Sequence, residues 1–291
     1  MAAIGKDLSS KTRDNVQLES VLRRRLRIVA YILLSIGAIT MIVPFLWMLS
    51  TSFKTMPEIT RGTFLPHEPT LDNYRQVLTT TTLPLWYWNT IVVAVISTAS
   101  VVFFDTLAGY VFAKFDFPLK MVFFLIILST LMIPTEMLLI PWYILSVQFN
   151  WVDTYWGIAF PGMITAAGVF LMRQFFHSVP NELLDAARID GMPEFQIFTR
   201  VGVPLVMPAM ASLFIFNFLG NWNAFQWPLI VTSKKEMMTL PVGISFFASE
   251  ASTQWNLIMT GASLSVVPLL IVVIIFQRQI IDGIALTGLK G

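Results

Sequence analysis

The sequence predicts an all-α polytopic membrane protein of six transmembrane helices, with a polar helix-turn-helix between helices four and five. Three observations predict it. Hydrophobic residues are 56% of the 291 and charged residues only 12%, against about 25% charged in an ordinary soluble domain. The mean hydropathy is +0.71. Six stretches, roughly 28–52, 88–112, 120–145, 155–176, 205–232 and 258–281, reach the ~20 mostly apolar residues that a spanning helix needs.

The elements follow in order. Residues 1–27 are polar and mixed in charge, and 1–20 read as a flexible or weakly helical arm. The first span is too long for a signal-peptide core, and no small-x-small cleavage site follows it before Pro44-Phe45-Leu46-Trp47, so it should stay in the mature protein. The loop at 53–87 holds Pro57, Pro66, Pro69 and Pro84, with an interfacial helix expected at 70–78, capped by Thr70 or Asp72. Spans two and three carry Asp105 and, after the Pro134 kink, Glu136. A short loop at 148–154 precedes span four, and a longer one at 233–257 follows span five, which Pro208 and Pro228 bracket. One membrane domain at 28–281, containing the loop at 177–204 and followed by a tail at 282–291, is the natural unit, since no 20–50-residue repeat is visible.

Basic residues set the expected orientation. Seven Lys or Arg lie in the N-terminal arm, two in the 113–120 turn, three around 173–200 and two near the C-terminus, 14 in all, against 5 in the other loops. Positive residues favour the cytoplasm, so both termini and the 177–204 loop are expected there. The arginines at 23–25 and 27 read as this topology signal, with anionic-lipid contact as an addition.

Several chemistries are excluded or disfavoured. There is no cysteine, so disulfides and thiolate sites are absent. His67 and His177 fall in different loops, so no catalytic residues, metal or cofactor are expected. A net charge of +2 is too small to suggest nucleic acid. No G-x-x-x-x-G-K-[ST] occurs, so the chain has no phosphate-cradling loop of the P-loop type.

The loop Pro180–Pro208 is the most informative stretch. Ser178 is a candidate cap, and Pro180 suits a helix start. Glu182 and Asp185 lie in the first turns, where the helix dipole favours acids. Leu183, Ala186, Ala187 and Asp190 share one face by their spacing, the alanines permitting close approach. Gly191 can end the helix in a left-handed conformation, and Pro193 starts a second helix carrying Phe195 and Phe198. The plain alternative is an ordinary amphipathic connector.

Asp185-Ala186-Ala187-x-x-Asp190-Gly191, followed by Phe198 and Val203-Pro204, resembles the EAA loop of binding-protein-dependent ABC transporter permeases. The wording is similar to that of the carbohydrate-uptake permeases, the maltose-type and glycerol-phosphate-type second subunits. Met132-Ile133-Pro134, Ile140-Pro141, Asn221-Trp222-Asn223, Trp227-Pro228 and the Gly283–Gly291 tail extend the resemblance. It implies that Glu182, Asp185, Ala186, Ala187, Asp190, Gly191 and Phe198 couple the permease to a cytoplasmic ATPase. It also implies a second permease subunit, two ATP-binding cassette subunits, an extracytoplasmic substrate-binding protein and a bacterial or archaeal cytoplasmic membrane. ATP hydrolysis would then lie in separate subunits, the chain itself not being an enzyme.

Span five offers a pathway. Asn217, Gly220, Asn221 and Ala224 form a small, polar stripe at helical spacing, with Trp222, Asn223, Phe225 and Trp227 beside it. Aromatic faces and amides suit a sugar, though small and amide residues also serve helix packing. Asp105 and Glu136 support a rival, an ion-coupled secondary carrier, but a structural hydrogen bond or pathway lining explains an intramembrane acid equally well. An intramembrane enzyme would need a clustered nucleophile, base or metal set, and none is legible.

Overall fold

The computed structural model describes the backbone of residues 2–250 and 254–288, and the side chains of 24–250 and 254–277. The described residues form fifteen α-helical segments. These are α1 (Ala2–Ser52), α2 (Met56–Thr60), α3 (Asp72–Thr80), α4 (Leu83–Lys114), α5 (Lys120–Ser129), α6 (Thr135–Gln148), α7 (Tyr155–Ala159) and α8 (Ala166–Ser178). There follow α9 (Asn181–Ile189), α10 (Glu194–Ile197), α11 (Val203–Leu205), α12 (Met207–Trp222), α13 (Gln226–Val231), α14 (Leu240–Glu250) and α15 (Trp255–Gly288).

Among the described residues, three helices are long and apolar enough to cross a membrane: 24–52, 83–114 and 255–277. Three bent pairs raise the number to six if each pair is one span. The pairs are Lys120–Met132 with Thr135–Gln148 (102°), Tyr155–Gly162 with Ala166–Ser178 (48°), and Glu194–Leu205 with Met207–Trp222 (81°). The expected kink at Pro134 is therefore a sharp turn. Ile133 is extended and Pro134 caps α6, because a residue before proline is pushed out of the α region and proline lacks an N–H.

α4 is the axis of the bundle, packed by α8 along one side and α12 along another. Gly109 makes the α4–α8 approach possible: a Cβ there would sit 2.5 Å from the Cβ of Met172. Two buried clusters mark the ends of this axis. Tyr110, Met172, Phe176, Leu184, Ile197 and Phe198 gather at the end that meets the 177–204 loop. Leu83, Trp86, Trp222, Met238 and Leu240 gather at the other. Each fully buried side chain of this size stabilises by about 1.5–3 kcal/mol relative to water exposure.

Several boundaries differ from the sequence reading. α1 is helical from Ala2, so no break separates the 1–27 arm from the first span. The arm holds no proline, and its Lys, Arg, Glu, Gln and Leu are good helix formers. Of the tail, α15 carries the backbone to Gly288, while 289–291 lie outside the described residues. The second span starts at Leu83, five residues early, with Pro84 tolerated in its first turn. The expected helix at 70–78 is α3, and Thr70 Oγ1 accepts the Asp72 N–H at 3.1 Å. α3 is tied to the bundle by a side chain. Its buried Asn73 donates to the carbonyls of Ser52 (2.8 Å) and Lys54 (2.9 Å), tying α3 to the end of α1. The 233–257 loop contains α14, a helix too short to span that packs on α4 and α15.

The fifth span is the largest correction. The expected 205–232 helix stops at Trp222, and α13 then turns aside against α6 and α7. Asn223 donates both its backbone N–H (3.2 Å) and its Nδ2 (2.8 Å) to the Leu219 carbonyl, closing the helix end. Pro228 could not have supplied an N–H to a continued helix.

Candidate coupling loop and pathway

The loop is built outward from α8. Ser178 is not a cap of the next helix: its hydroxyl donates to Phe175 O (2.7 Å), and Pro180 occupies the cap position of α9. Lys114, at the end of α4, fixes the entry by donating to Val179 O (2.6 Å) and Asn181 Oδ1 (2.8 Å). α9 then ends at Asp190, and Gly191 turns the chain with φ +77°. Nothing lies within 4 Å of a Cβ placed there, so glycine is needed for its backbone angle and not for space.

The expected face of α9 divides in two. Leu184 and Ala187 point into the bundle and are buried. Leu183, Ala186, Ile189 and Asp190 are exposed, as are Glu182 and Asp185. Ala187 thus belongs to the packing side, because residues three apart on a helix, here 184 and 187, share a face. Phe198 is likewise inward, only 4% exposed, with its ring 5.2 Å from Tyr110 and 6.4 Å from Phe176. It anchors the loop and leaves Leu183, Phe195 (61% exposed) and Ile189 (86% exposed) as the large outward apolar groups.

An ionic lattice that the sequence reading did not find holds the two short helices together. Arg188 donates to Asp185 Oδ1 (2.6 Å) and, through two nitrogens, to both oxygens of Glu194 (2.9 and 3.1 Å). Tyr110 of α4 donates its hydroxyl to Glu194 Oε1 at 2.6 Å. The Arg188 hydrogen bonds hold the Glu194 carboxyl below its ordinary pKa, and the Glu194 carboxylate in turn raises the Arg188 guanidinium. Asp185 and Arg188, three apart on a helix, were a legible pair. Glu194 lies beyond the turn, and Tyr110 comes from a helix some eighty positions away, so neither carried a local signal.

The pathway candidates are scattered. Asn217 and Asn221 remain half-buried on α12, but their amide nitrogens donate to carbonyls of their own helix, Leu213 O and Asn217 O, both at 2.9 Å. Their oxygens stay available as acceptors. Asn217 lines an open groove of about 300 Å³ with Thr165, Gly168, Leu171, Leu213 and Phe216. Trp222 is buried, donates to Ser265 O (3.2 Å) and meets Tyr87 edge-on at 5.5 Å, so it packs the core. Trp227, on α13, is buried too and donates to Gly157 O at 2.9 Å. Asn223 is exposed at the helix end. The two tryptophans therefore do not flank the stripe as open aromatic faces, because the helix ends between them.

The two intramembrane acids also separate. Asp105 is fully buried and accepts from Thr165 N (3.1 and 3.2 Å) and Thr165 Oγ1 (2.6 Å). Thr165 caps α8, so the carboxylate sits against a helix N-terminus and fixes the break in the fourth span. Glu136 is exposed in the first turn of α6. Asp105 thus has the structural hydrogen bonds that were one expectation for it.

Apolar helices in this number and a charged, anchored helix-turn-helix between two of them define a polytopic permease-like protein. Residues 105–285 match the family described as "Binding-protein-dependent transport system inner membrane component". The chain belongs to that family. It is similar to the lactose transport system permease protein LacG of Rhizobium radiobacter, 36% identical over 91% of this chain and 97% of that one. It is 34% identical to the arabinooligosaccharides transport system permease protein AraQ of Bacillus subtilis, over 85% of this chain and 90% of that one. The sn-glycerol-3-phosphate transport system permease protein UgpE of Brucella abortus is 32% identical, over 89% and 96%. A crystal structure of a bacterial ABC transporter involved in the import of the acidic polysaccharide alginate contains a chain of the same fold, with a TM-score of 0.79 and 26% identity over 88% of this chain and 96% of that one.

Proposed function

We propose that this chain is one permease half of an ATP-driven importer for a neutral sugar or oligosaccharide, delivered by an extracytoplasmic binding protein. The observation that carries the reading is the exposed face of α9 and α10, mounted on α4 by the Tyr110–Glu194–Arg188–Asp185 lattice. That face presents Leu183, Ala186, Ile189, Asp190 and Phe195. An acid at a helix C-terminus, as Asp190 is, opposes the helix dipole, and a docking contact supplies the reason to keep it. The face meets one of two ATPase subunits, and a second permease completes the pathway. Rocking of the two halves provides alternating access. The bent pairs at the third and fourth spans and α12 as the fifth complete six spans, with α9 and α10 outside the membrane and both termini and the 177–204 loop cytoplasmic in accord with the distribution of basic residues.

The groove at Asn217 favours a neutral substrate. Its lining offers a hydroxyl, an amide and a phenyl ring but no cation, and the Asp105 carboxylate lies behind Thr165. The carrier alternative has no support: Asp105 is occupied by Thr165, and Glu136 is exposed on a different helix. The test is ATPase stimulation of the assembled complex by its binding protein across a panel of sugars. Neutral oligosaccharides should stimulate, while glycerol-3-phosphate and acidic oligosaccharides should not. Stimulation by anionic substrates alone would overturn the substrate class, and ATP-independent, gradient-driven uptake would overturn the transporter class.

A further inference from the structure

We infer that the rim formed by the α4–α5 turn and the flank of α8 is a binding site for the headgroup of an anionic phospholipid. The turn is sharp: Leu119 is left-handed (φ 61°) and caps α5. Beside it lies a groove of about 340 Å³, lined by Phe117, Leu119, Lys120, Val122, Phe124 and Arg173 among others. Its walls divide by chemistry. Leu119, Met121 and Val122 are exposed apolar groups on the outer face of α5, where acyl chains would lie. Lys120 and Arg173 supply the charge.

Arg173 is held in place for such a role. Its guanidinium lies 4.1 Å from the centroid of Phe124, and its Nε donates to Phe112 O at 3.3 Å. Its two terminal nitrogens have no protein partner among the described residues, so the outer edge of a planar fork is left for an anion. Arginine presents that fork to phosphate oxygens with paired donors. Lys120 donates to Phe115 O (2.6 Å) and Asp116 Oδ1 (3.2 Å), which places its ammonium over the same opening. His177 lies within electrostatic range of both cations. Asp116, fully exposed, is the acid lining the groove and competes for Lys120. Two cations above an apolar wall at the end of two membrane helices match a phosphate diester with acyl chains, whereas a soluble anion would gain nothing from Leu119, Met121 and Val122.

The site is independent of the coupling-loop and substrate readings. The test uses the full chain in a neutral detergent, titrated with phosphatidylglycerol or phosphatidylcholine and followed by native mass spectrometry and melting temperature. Phosphatidylglycerol should be retained and should raise the melting temperature, and phosphatidylcholine should do neither. Lys120→Gln with Arg173→Gln should weaken phosphatidylglycerol binding about 25-fold, from roughly fivefold for each cation removed. Asp116→Asn frees Lys120 and should strengthen binding. Because Asp116 is fully exposed, this variant keeps the test open if the double variant does not fold. Unchanged binding in the double variant, or weaker binding in Asp116→Asn, would overturn the site. So would an equal melting shift with glycerol phosphate at the same concentration, which would mean a free-phosphate site.

Discussion

The loop at 177–204 and the stripe on α12 both stood out in the sequence, yet the molecule treats them differently. In the loop, charged side chains reach across helices: Arg188 joins α9 to α10, and Tyr110 joins that unit to α4. In the stripe, polar side chains turn inward on their own helix, Asn217 to Leu213 O and Asn221 to Asn217 O. A polar group in a membrane helix must satisfy its donors locally when no neighbour offers an acceptor. The loop, at the end of the bundle, instead has partners from three elements. A rigid outward module at the end of the bundle and a self-satisfied, acceptor-bearing groove along α12 is the division expected of a coupling element and a pathway wall.

The largest effect that could break this contrast is at Gly191. A left-handed angle costs an L-residue about 1–2 kcal/mol, and more if it is β-branched. Gly191→Val should abolish sugar-stimulated ATPase activity in complexes that still assemble, while Gly191→Asn, which tolerates φ +77°, should retain most of it. Normal stimulation in Gly191→Val would separate the turn from coupling.

The lattice comes next. Arg188→Ala removes the cation between Asp185 and Glu194 and leaves two acids facing each other, so transport per ATP should fall several-fold with the spans intact. Tyr110→Phe removes one hydrogen bond, worth about 0.5–1.5 kcal/mol, and should have a milder effect of the same kind. The lattice also sets a pH dependence. Because the folded Glu194 carboxyl titrates below its ordinary 4.5, its contribution is fully present above that pH and is lost as pH falls through the lower folded value. Limited proteolysis at the 190–193 turn should therefore stay slow at pH 5 and accelerate in stronger acid. In Glu194→Gln that acid-dependent step should disappear.

On the stripe the effects should be smaller and different in kind. Asn217→Leu removes the acceptor facing the groove and should shift sugar preference, while Asn221→Leu should do so less. Trp222→Phe should lower stability by about 1–3 kcal/mol, through the lost bond to Ser265 O and lost volume, and leave preference unchanged. A preference shift in Trp222→Phe without a fall in melting temperature would reverse the assignment.

How much of this was legible follows from where each signal resides. Apolar length is local, so three of the six stretches coincide with long apolar helices, while the other three fall on bent pairs. Breaks are legible only as permission. Pro134 marked a kink, but its size depends on what packs beside it. The end of α12 at Trp222 was hidden, because the hydrophobic run continues through Trp227 and the seat of Trp222 against Tyr87 and Ser265 is set by other elements. In the loop, the order of acids, alanines and glycine was readable. That Ala187 and Phe198 face inward, and that Glu194 joins Arg188 to Tyr110, required the position of α4.

The most direct test of the division uses the cysteine-free chain. Single cysteines are placed at Ile189, on the exposed loop face, and at Asn217, in the groove, and the assembled transporter is treated with a short thiol cross-linker. The cysteine at 189 should cross-link to an ATPase subunit, and the one at 217 should not but should be shielded from labelling by transported sugar. Cross-linking to the ATPase from 217, or labelling at 189 that is unaffected by the presence of the ATPase subunits, would contradict the assignment of coupling to the loop and passage to the groove.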